Sequence, residues 1–275
     1  MTPSSVPESS SSLEAVTCTL TLLGCGTSTG VPVLGCRCRV CTSTDPRNKR
    51  LRTAAHLRTS SGISLAIDAG PDLRRQALGA DITHLDGVVF SHAHTDHILG
   101  IDDLRGFNFS SRRPMSCYAS ELTMSGIFSL FDYVINPDPA YRGSVPQLTF
   151  HTIEHGNPFS IRGLEILPLE IVHGHLAVTM YRFGPVAYAT DCSQIPPATA
   201  ESLAGVEVLF LDALRSEPSP SHFTIDQACE VAHRLGIRRT ILIHLSHSLD
   251  YNEISAKLPT GVELGYDGLE VSWRV

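Results

Sequence analysis

The chain has 275 residues, 42% of them hydrophobic and 18% charged, which is enough apolar material for a sizeable core in one large domain or two small ones. Lys and Arg number 21 against 28 Asp and Glu, a net charge of −7. That balance argues against gripping long nucleic acid through a basic surface but leaves a small phosphate ester open, and no apolar run approaches the roughly twenty residues that span a bilayer.

Residues 1–15 are rich in Ser and Pro and carry Glu8 and Glu14. They have neither the apolar stretch of a signal peptide nor the arginines of a transit sequence, so a disordered tail and a cytoplasmic location are expected. Residues 17–23 alternate polar and apolar as a half-buried strand does and run into the glycine-rich loop 24–30. No Lys-Ser/Thr ending follows, so the glycines predict a tight loop close to other backbone rather than a phosphate cradle. Next comes Cys36-x-Cys38-x-x-Cys41. Three thiolates in six residues can wrap a Zn²⁺, leaving one tetrahedral position for a distant ligand, and this use of cysteine fits a reducing compartment.

Strands are expected at 54–60 and 63–68, joined by Ser61-Gly62. Asp68 then either caps the helix read at 72–78 or hydrogen-bonds a metal-bound histidine from behind. The apolar run 87–90 delivers Ser91-His92-Ala93-His94-Thr95-Asp96-His97, three histidines and an aspartate in six residues. A strand ending in His-x-His sends both rings to one side, while Asp96 and His97 fall where the chain turns into a helix read at 97–104, so the cluster suits two metal ions. Arg105 has two readings, a bidentate contact to phosphate or a partner for Asp102 or Asp103. A strand at 115–119, a helix at 120–134 and a loop at 136–147 bordering the site complete the first half.

The second half reads as strands at 147–154, 160–168, 177–183, 186–190 and 206–211. His173 and His175 follow the third apolar run, and Asp191 ends the strand before it as a turn former or, better, as a bridging carboxylate. His222 precedes the helix 225–235, which Thr224 can cap, and is a candidate acid or base or a plain loop histidine. The strand 240–243 presents His244, which suits the paired metals, and His247, which suits the open place on the cysteine cluster. A last hairpin is expected in 262–275 around Asp267-Gly268.

The order His92-x-His94-x-Asp96-His97, His173, Asp191, His244 resembles the metallo-β-lactamase superfamily over nearly the whole chain after the tail. Within it, Gly30-Val31-Pro32 with the cysteine cluster, and His244-x-x-His247, look like the PhnP-type cyclic phosphate phosphodiesterases. The resemblance implies a single α+β domain over 16–275, a four-layer αββα sandwich of two facing mixed β-sheets flanked by helices, with metals at one edge. It places His92, His94 and His173 on one divalent ion, and Asp96, His97 and His244 on a second, with Asp191 bridging. The ions are Zn, Mn or Fe. Cys36, Cys38, Cys41 and His247 hold a separate structural Zn. Asp68 supports the set from behind, and His222, Asp191 and Asp96 carry catalysis. The implied reaction is hydrolysis of a small, cyclic phosphodiester by a hydroxide shared between two metals, with a homodimer expected by analogy. An RNase Z-like nuclease and a metal-dependent binding or carrier protein are the alternatives.

Overall fold

The alternation at the start of the chain builds β1 (Thr17–Gly24), whose Cys18, Leu20 and Leu22 are fully buried. A computed structural model describes residues 15–138, 140 and 143–275, so the expected tail lies outside the described residues apart from Ala15. β1 is flanked by two antiparallel neighbours, β2 (Ala54–Thr59) and the C-terminal β14 (Glu270–Arg274). β3 (Ser64–Ile67) turns back from β2, and β4 (Gly87–Val89), β5 (Met115–Ala119) and β6 (Leu148–Thr152) then run parallel to it.

The second sheet opens with the antiparallel series β7 (Phe159–Ile161), β8 (Leu164–His173), β9 (Leu176–Phe183) and β10 (Val186–Ala189). It continues with β11 (Val208–Asp212), β12 (Arg239–Ile243) and β13 (Val262–Leu264), all parallel to β10. Each sheet has seven strands, ordered β14-β1-β2-β3-β4-β5-β6 and β13-β12-β11-β10-β9-β8-β7. One cluster joins Leu20, Leu57 and Ile67 of the first sheet to Ile171, Met180, Leu211 and Ile243 of the second. A second cluster puts Ala66, Val88 and Phe90 against Leu73, Ile98, Leu104 and Ile127, which come from α1 (Leu73–Gly79), α2 (Thr95–Ile98), a 3₁₀ turn at Ile101–Leu104 and α4 (Glu121–Leu130). α3 (Arg105–Ser111) and α5 (Asp132–Ile135) belong to the same side, and α6 (Pro197–Glu201), α7 (Ile225–Arg234) and α8 (Tyr251–Ser255) flank the other sheet. This is the αββα arrangement.

Four local expectations need correcting. Residues 160–168 are not one strand: Arg162 and Gly163 take φ of 51° and 93°, the double left-handed turn that folds β7 back on β8. The 262–275 hairpin does not form, because β13 pairs with β12 in one sheet and β14 with β1 in the other. The carboxylate of Asp267 fixes the crossing between them by accepting from the backbone N–H groups of Cys25 and Leu51. The helix read at 97–104 breaks into α2 and the 3₁₀ turn, and the helix read at 120–134 breaks at Phe131. The glycine loop is as expected. A side chain at Gly24 or Gly26 would collide with the backbone of residues 50–52, so only glycine lets those segments touch.

Candidate metal centres

The ends of six strands meet at one edge of the sandwich. Asp68 follows β3, His92 follows β4, His173 ends β8, Asp191 follows β10, Asp212 ends β11 and His244 follows β12. Asp68, Asp191 and His244 sit in left-handed backbone, with φ of 65°, 52° and 60°. Non-glycine residues enter that region at a cost of about 1–2 kcal/mol each, so the fold holds strain where strands deliver their polar tips. Gly70 lies close beside the motif: a side chain there would run into the Asp96 carbonyl, and Ala69 N–H donates to the His97 carbonyl.

Asp191 divides its oxygens. Oδ2 lies 3.7 Å from His92 Nε2 and 4.0 Å from His173 Nε2, while Oδ1 lies 3.2 Å from His97 Nε2 and 3.5 Å from His244 Nε2. Two ligand groups therefore share it, His92, His94, His173 with Asp191 and Asp96, His97, His244 with Asp191, each with its ligand atoms within 4.8 Å of one another. Asp96 Oδ2 is 3.3 Å from His97 Nε2 and 3.8 Å from that of His244. His94 is exposed; the other residues of the two groups are buried.

Tautomers are set from behind. His97 Nδ1 donates to Asp68 Oδ2 at 2.7 Å, and Ser91 Oγ donates to the same oxygen at 2.8 Å while lying 3.0 Å from His92 Nδ1. His173 Nδ1 donates to the Ser221 carbonyl at 2.6 Å. Each ring thus spends Nδ1–H on the protein and turns Nε2 to the centre. There Nε2 of His92, of His97 and of His244 is buried without a hydrogen-bond partner. Buried orphan nitrogens are costly, and three converging on shared carboxylates fit divalent cations.

The electrostatics agree. Burial pulls His92 and His173 below the ordinary histidine value. It opposes charge on His97 and His244 as well, but Asp191 and Asp68 lift His97 well above that value, and Asp191, Asp212 and Asp96 lift His244 to about 10. Burial would raise Asp96 and Asp191, yet His244 and His97 hold both well below the carboxylate range. Asp68, Asp96, Asp191 and Asp212 pair only with histidines among the described residues. Four buried carboxylates without a Lys or Arg call for bound cations.

Sequence reasoning passed over Asp212. It is fully buried, 3.1 Å from His222 Nδ1 and 3.3 Å from His244 Nδ1, and the third carboxylate to close an apolar strand, the pattern already read at Asp68 and Asp191. His222 lies between the two ligand groups, its ring stacked on His244 at 4.8 Å and edge-on to His173 at 4.5 Å. Asp68 caps nothing, since Asp72 precedes α1 and Asp68 faces His97 and Ser91. Arg105 stands outside every ligand group; it pairs with Asp102 at 3.1 Å, the partner the sequence left open. His175 is exposed.

The four residues of the cysteine cluster come together. His247 Nδ1 stands 3.4, 3.5 and 3.5 Å from the sulfurs of Cys36, Cys38 and Cys41. Those separations match the tetrahedron edge of roughly 3.5 Å that Zn–S and Zn–N bonds of about 2.3 and 2.0 Å require. The Cys41 N–H leads in drawing the Cys38 thiol down to about 6, toward thiolate.

A model of the β-lactamase superfamily domain matches residues 64–245, more than half of the chain. The chain belongs to the β-lactamase superfamily. Within it, a structure described as a new diphosphatase from the PhnP family superposes with a TM-score of 0.87 at 38% identity, covering 94% of this chain and 99% of that one. That places the chain in the PhnP branch of these metallo-hydrolases, whose fold implies divalent metal binding. An octanoyltransferase of Porphyromonas gingivalis is 40% identical over 251 residues, 90% of this chain and 50% of that protein, so the chain spans half the length of this relative. A ribonuclease Z of Methanopyrus kandleri is 25% identical over 251 residues, 78% of this chain and 89% of that protein. No helix among the described residues is long and apolar enough to cross a membrane.

Proposed function

We propose that this chain is a phosphodiesterase that uses two divalent ions to hydrolyse a small, cyclic phosphodiester, with a structural zinc in the cysteine cluster. The observation that carries this reading is Asp191 split between two histidine sets, with His222 on Asp212 at their border. In this reading His92, His94 and His173 would hold one ion and Asp96, His97 and His244 the other, with Asp191 available to both. Bound there, two divalent ions would lower the pKa of a shared water toward neutrality and draw charge from the phosphate oxygens.

The remaining work falls to protein groups. Asp212 accepts the Nδ1 proton of His222 and so presents Nε2 on the far side of the ring. From there a protonated His222 donates to the departing alkoxide, a contribution of typically 10²–10⁴-fold. In a cyclic ester the leaving oxygen stays tethered, so one P–O bond breaks, water's oxygen joins phosphorus, and the product is a phosphomonoester. Asp96 and Asp191, kept ionised, would hold the ions and are placed to accept hydrogen bonds from a water between them.

A second reading, cleavage of a P–O–P linkage, is favoured by the 38% identity with the PhnP-family diphosphatase. The ribonuclease reading rests on 25% identity and is opposed by the net charge of −7. The test is an assay of protein loaded in turn with Zn²⁺, Mn²⁺ and Fe²⁺ against cyclic nucleotides, dinucleoside diphosphates, structured RNA and thioesters. Turnover of cyclic or linear small phosphodiesters is expected; activity on thioesters alone would sink the phosphodiester readings. His222→Ala is expected to keep its metals and lose 10²–10⁴-fold in kcat. Unchanged turnover removes His222 from the mechanism.

A further inference from the structure

Arg50 is 2% exposed and heads the fully buried side chains by volume. Its guanidinium spends itself on uncharged oxygens: Nη1 donates to the Ser246 carbonyl at 2.8 Å, Nη2 to the Leu249 carbonyl at 2.7 Å and to Asn48 Oδ1 at 3.1 Å, and Nε to the Arg47 carbonyl at 3.2 Å. No carboxylate among the described residues hydrogen-bonds it, although the charges of Asp267 and Asp250 offset part of its burial, so a guanidinium spent on carbonyls here needs a reason. Ser246 and Leu249 begin and end the turn that carries His247, and His244 lies two residues before it. A rigid planar fork of donors reaches two carbonyls of one turn at a smaller entropic cost than a freely rotating ammonium.

The same residue is tied to the cysteine cluster. Arg50 exchanges backbone hydrogen bonds with Val31 at 2.8 Å each, Val33 N–H donates to Cys41 Sγ, and Lys49 Nζ donates to the Cys41 carbonyl at 2.9 Å. Asn48 Oδ1, which receives Arg50 Nη2, also receives the Tyr251 N–H beyond the turn. One residue therefore links the loop that holds three sulfurs, through its backbone, to the turn that carries His247 and follows His244, through its side chain.

We propose that Arg50 is a positioning residue for both metal centres: it locks the 246–249 turn so that His247 meets the cysteines and His244 meets Asp96 and Asp191, and filling of the cysteine centre thereby raises affinity at the His244 position. This inference rests on the metal assignment proposed above and is independent of the substrate.

The experiment measures metals, not turnover. Mn²⁺ titration of the full chain, followed by calorimetry, gives the affinity of the active-site ions, and a chromogenic zinc indicator follows zinc leaving the cysteines. Arg50→Gln is expected to weaken the second Mn²⁺ by about tenfold or more and to speed zinc release, with Arg50→Lys between it and the natural protein. Cys36→Ser, which removes one of the four ligands of the cysteine centre and is used once the indicator shows its zinc gone, is expected to weaken the second Mn²⁺ in the same direction. A core variant of matched thermal stability remote from the turn, Ile161→Val or Ile161→Ala, shows what destabilisation alone does. Arg50→Gln that lowers Tm while leaving both metal affinities like the matched control overturns the inference, as does a second Mn²⁺ affinity indifferent to Cys36→Ser. Should Arg50→Gln fail to fold, Arg50→Lys, which keeps the charge and loses the fork that holds both turn carbonyls, carries the same expectation and the same refutation. A natural protein that binds no second Mn²⁺ refutes the metal assignment instead.

Discussion

Asp68 touches neither ligand group's open face, yet its two oxygens hold the His97 ring and the Ser91 hydroxyl and N–H, and through Ser91 they reach His92. Asp68→Asn keeps the shape and removes the charge that fixes His97 Nδ1–H, so metal affinity at the His97 position is expected to fall about 10–100-fold, measured by titration against a competing chelator. An unchanged affinity would show that Ser91 and packing suffice. His56, far from the metals, makes a different demand. It is buried on β2 with Nε2 2.8 Å from Ser64 Oγ, and burial, with Arg58 and His84 nearby, lowers it to about 4. A histidine lowered in the fold supports stability above its unfolded value near 6.5 and loses that support as pH falls through 4. His56→Gln is therefore expected to flatten the acid limb of stability between pH 6.5 and 4 by on the order of 3 kcal/mol, read from denaturant midpoints.

Among the elements, α7 matters most to the site because its first residue follows the segment that carries His222. Thr224 closes a capping box with Gln227: Thr224 Oγ1 accepts from the Gln227 N–H at 3.2 Å, and Gln227 Oε1 from the Thr224 N–H at 2.9 Å. Asp212 accepts the Phe223 N–H at 3.2 Å as well as His222 Nδ1, so the cap and the acid share an anchor. Thr224→Ala is expected to cost about 1 kcal/mol of stability in thermal unfolding and to lower kcat through His222 with metal content intact. Loss of stability with full kcat would separate the cap from the site. The cap was legible because Thr-x-x-Gln before an apolar helix is a local pattern. The break at Phe131 was not, since apolar residues continue through it.

At the scale of the molecule, two sheets bring four buried carboxylates together with histidines. Stripping divalent ions leaves that charge to repel itself. Chelation is expected to lower Tm and readdition to restore it, with about 4 kcal/mol at a metal concentration a thousandfold above Kd, measured by scanning calorimetry. A Tm indifferent to chelator would refute metal binding at this edge. The C-terminal strands show the same dependence on the whole: β13 and β14 flank a turn-forming Asp267-Gly268 and look like a hairpin, but the free edges of β12 and β1 each take one.

The superfamily was legible through the resemblance of its motif order, and the ligand residue types through local spacing: His-x-His on a strand end, three cysteines in six residues, an Asp after the apolar runs at 63–67 and 186–190. Which tips converge depends on packing across the two sheets. Asp212 entered the site because distances between strand ends depend on sheet order and twist, which no local pattern encodes, whereas Arg105 took the i,i+3 partner Asp102 that the sequence already offered. The division of His244 and His247 between separate centres, and the buried guanidinium that closes the turn carrying His247, also exist only once residues about two hundred positions apart are packed together.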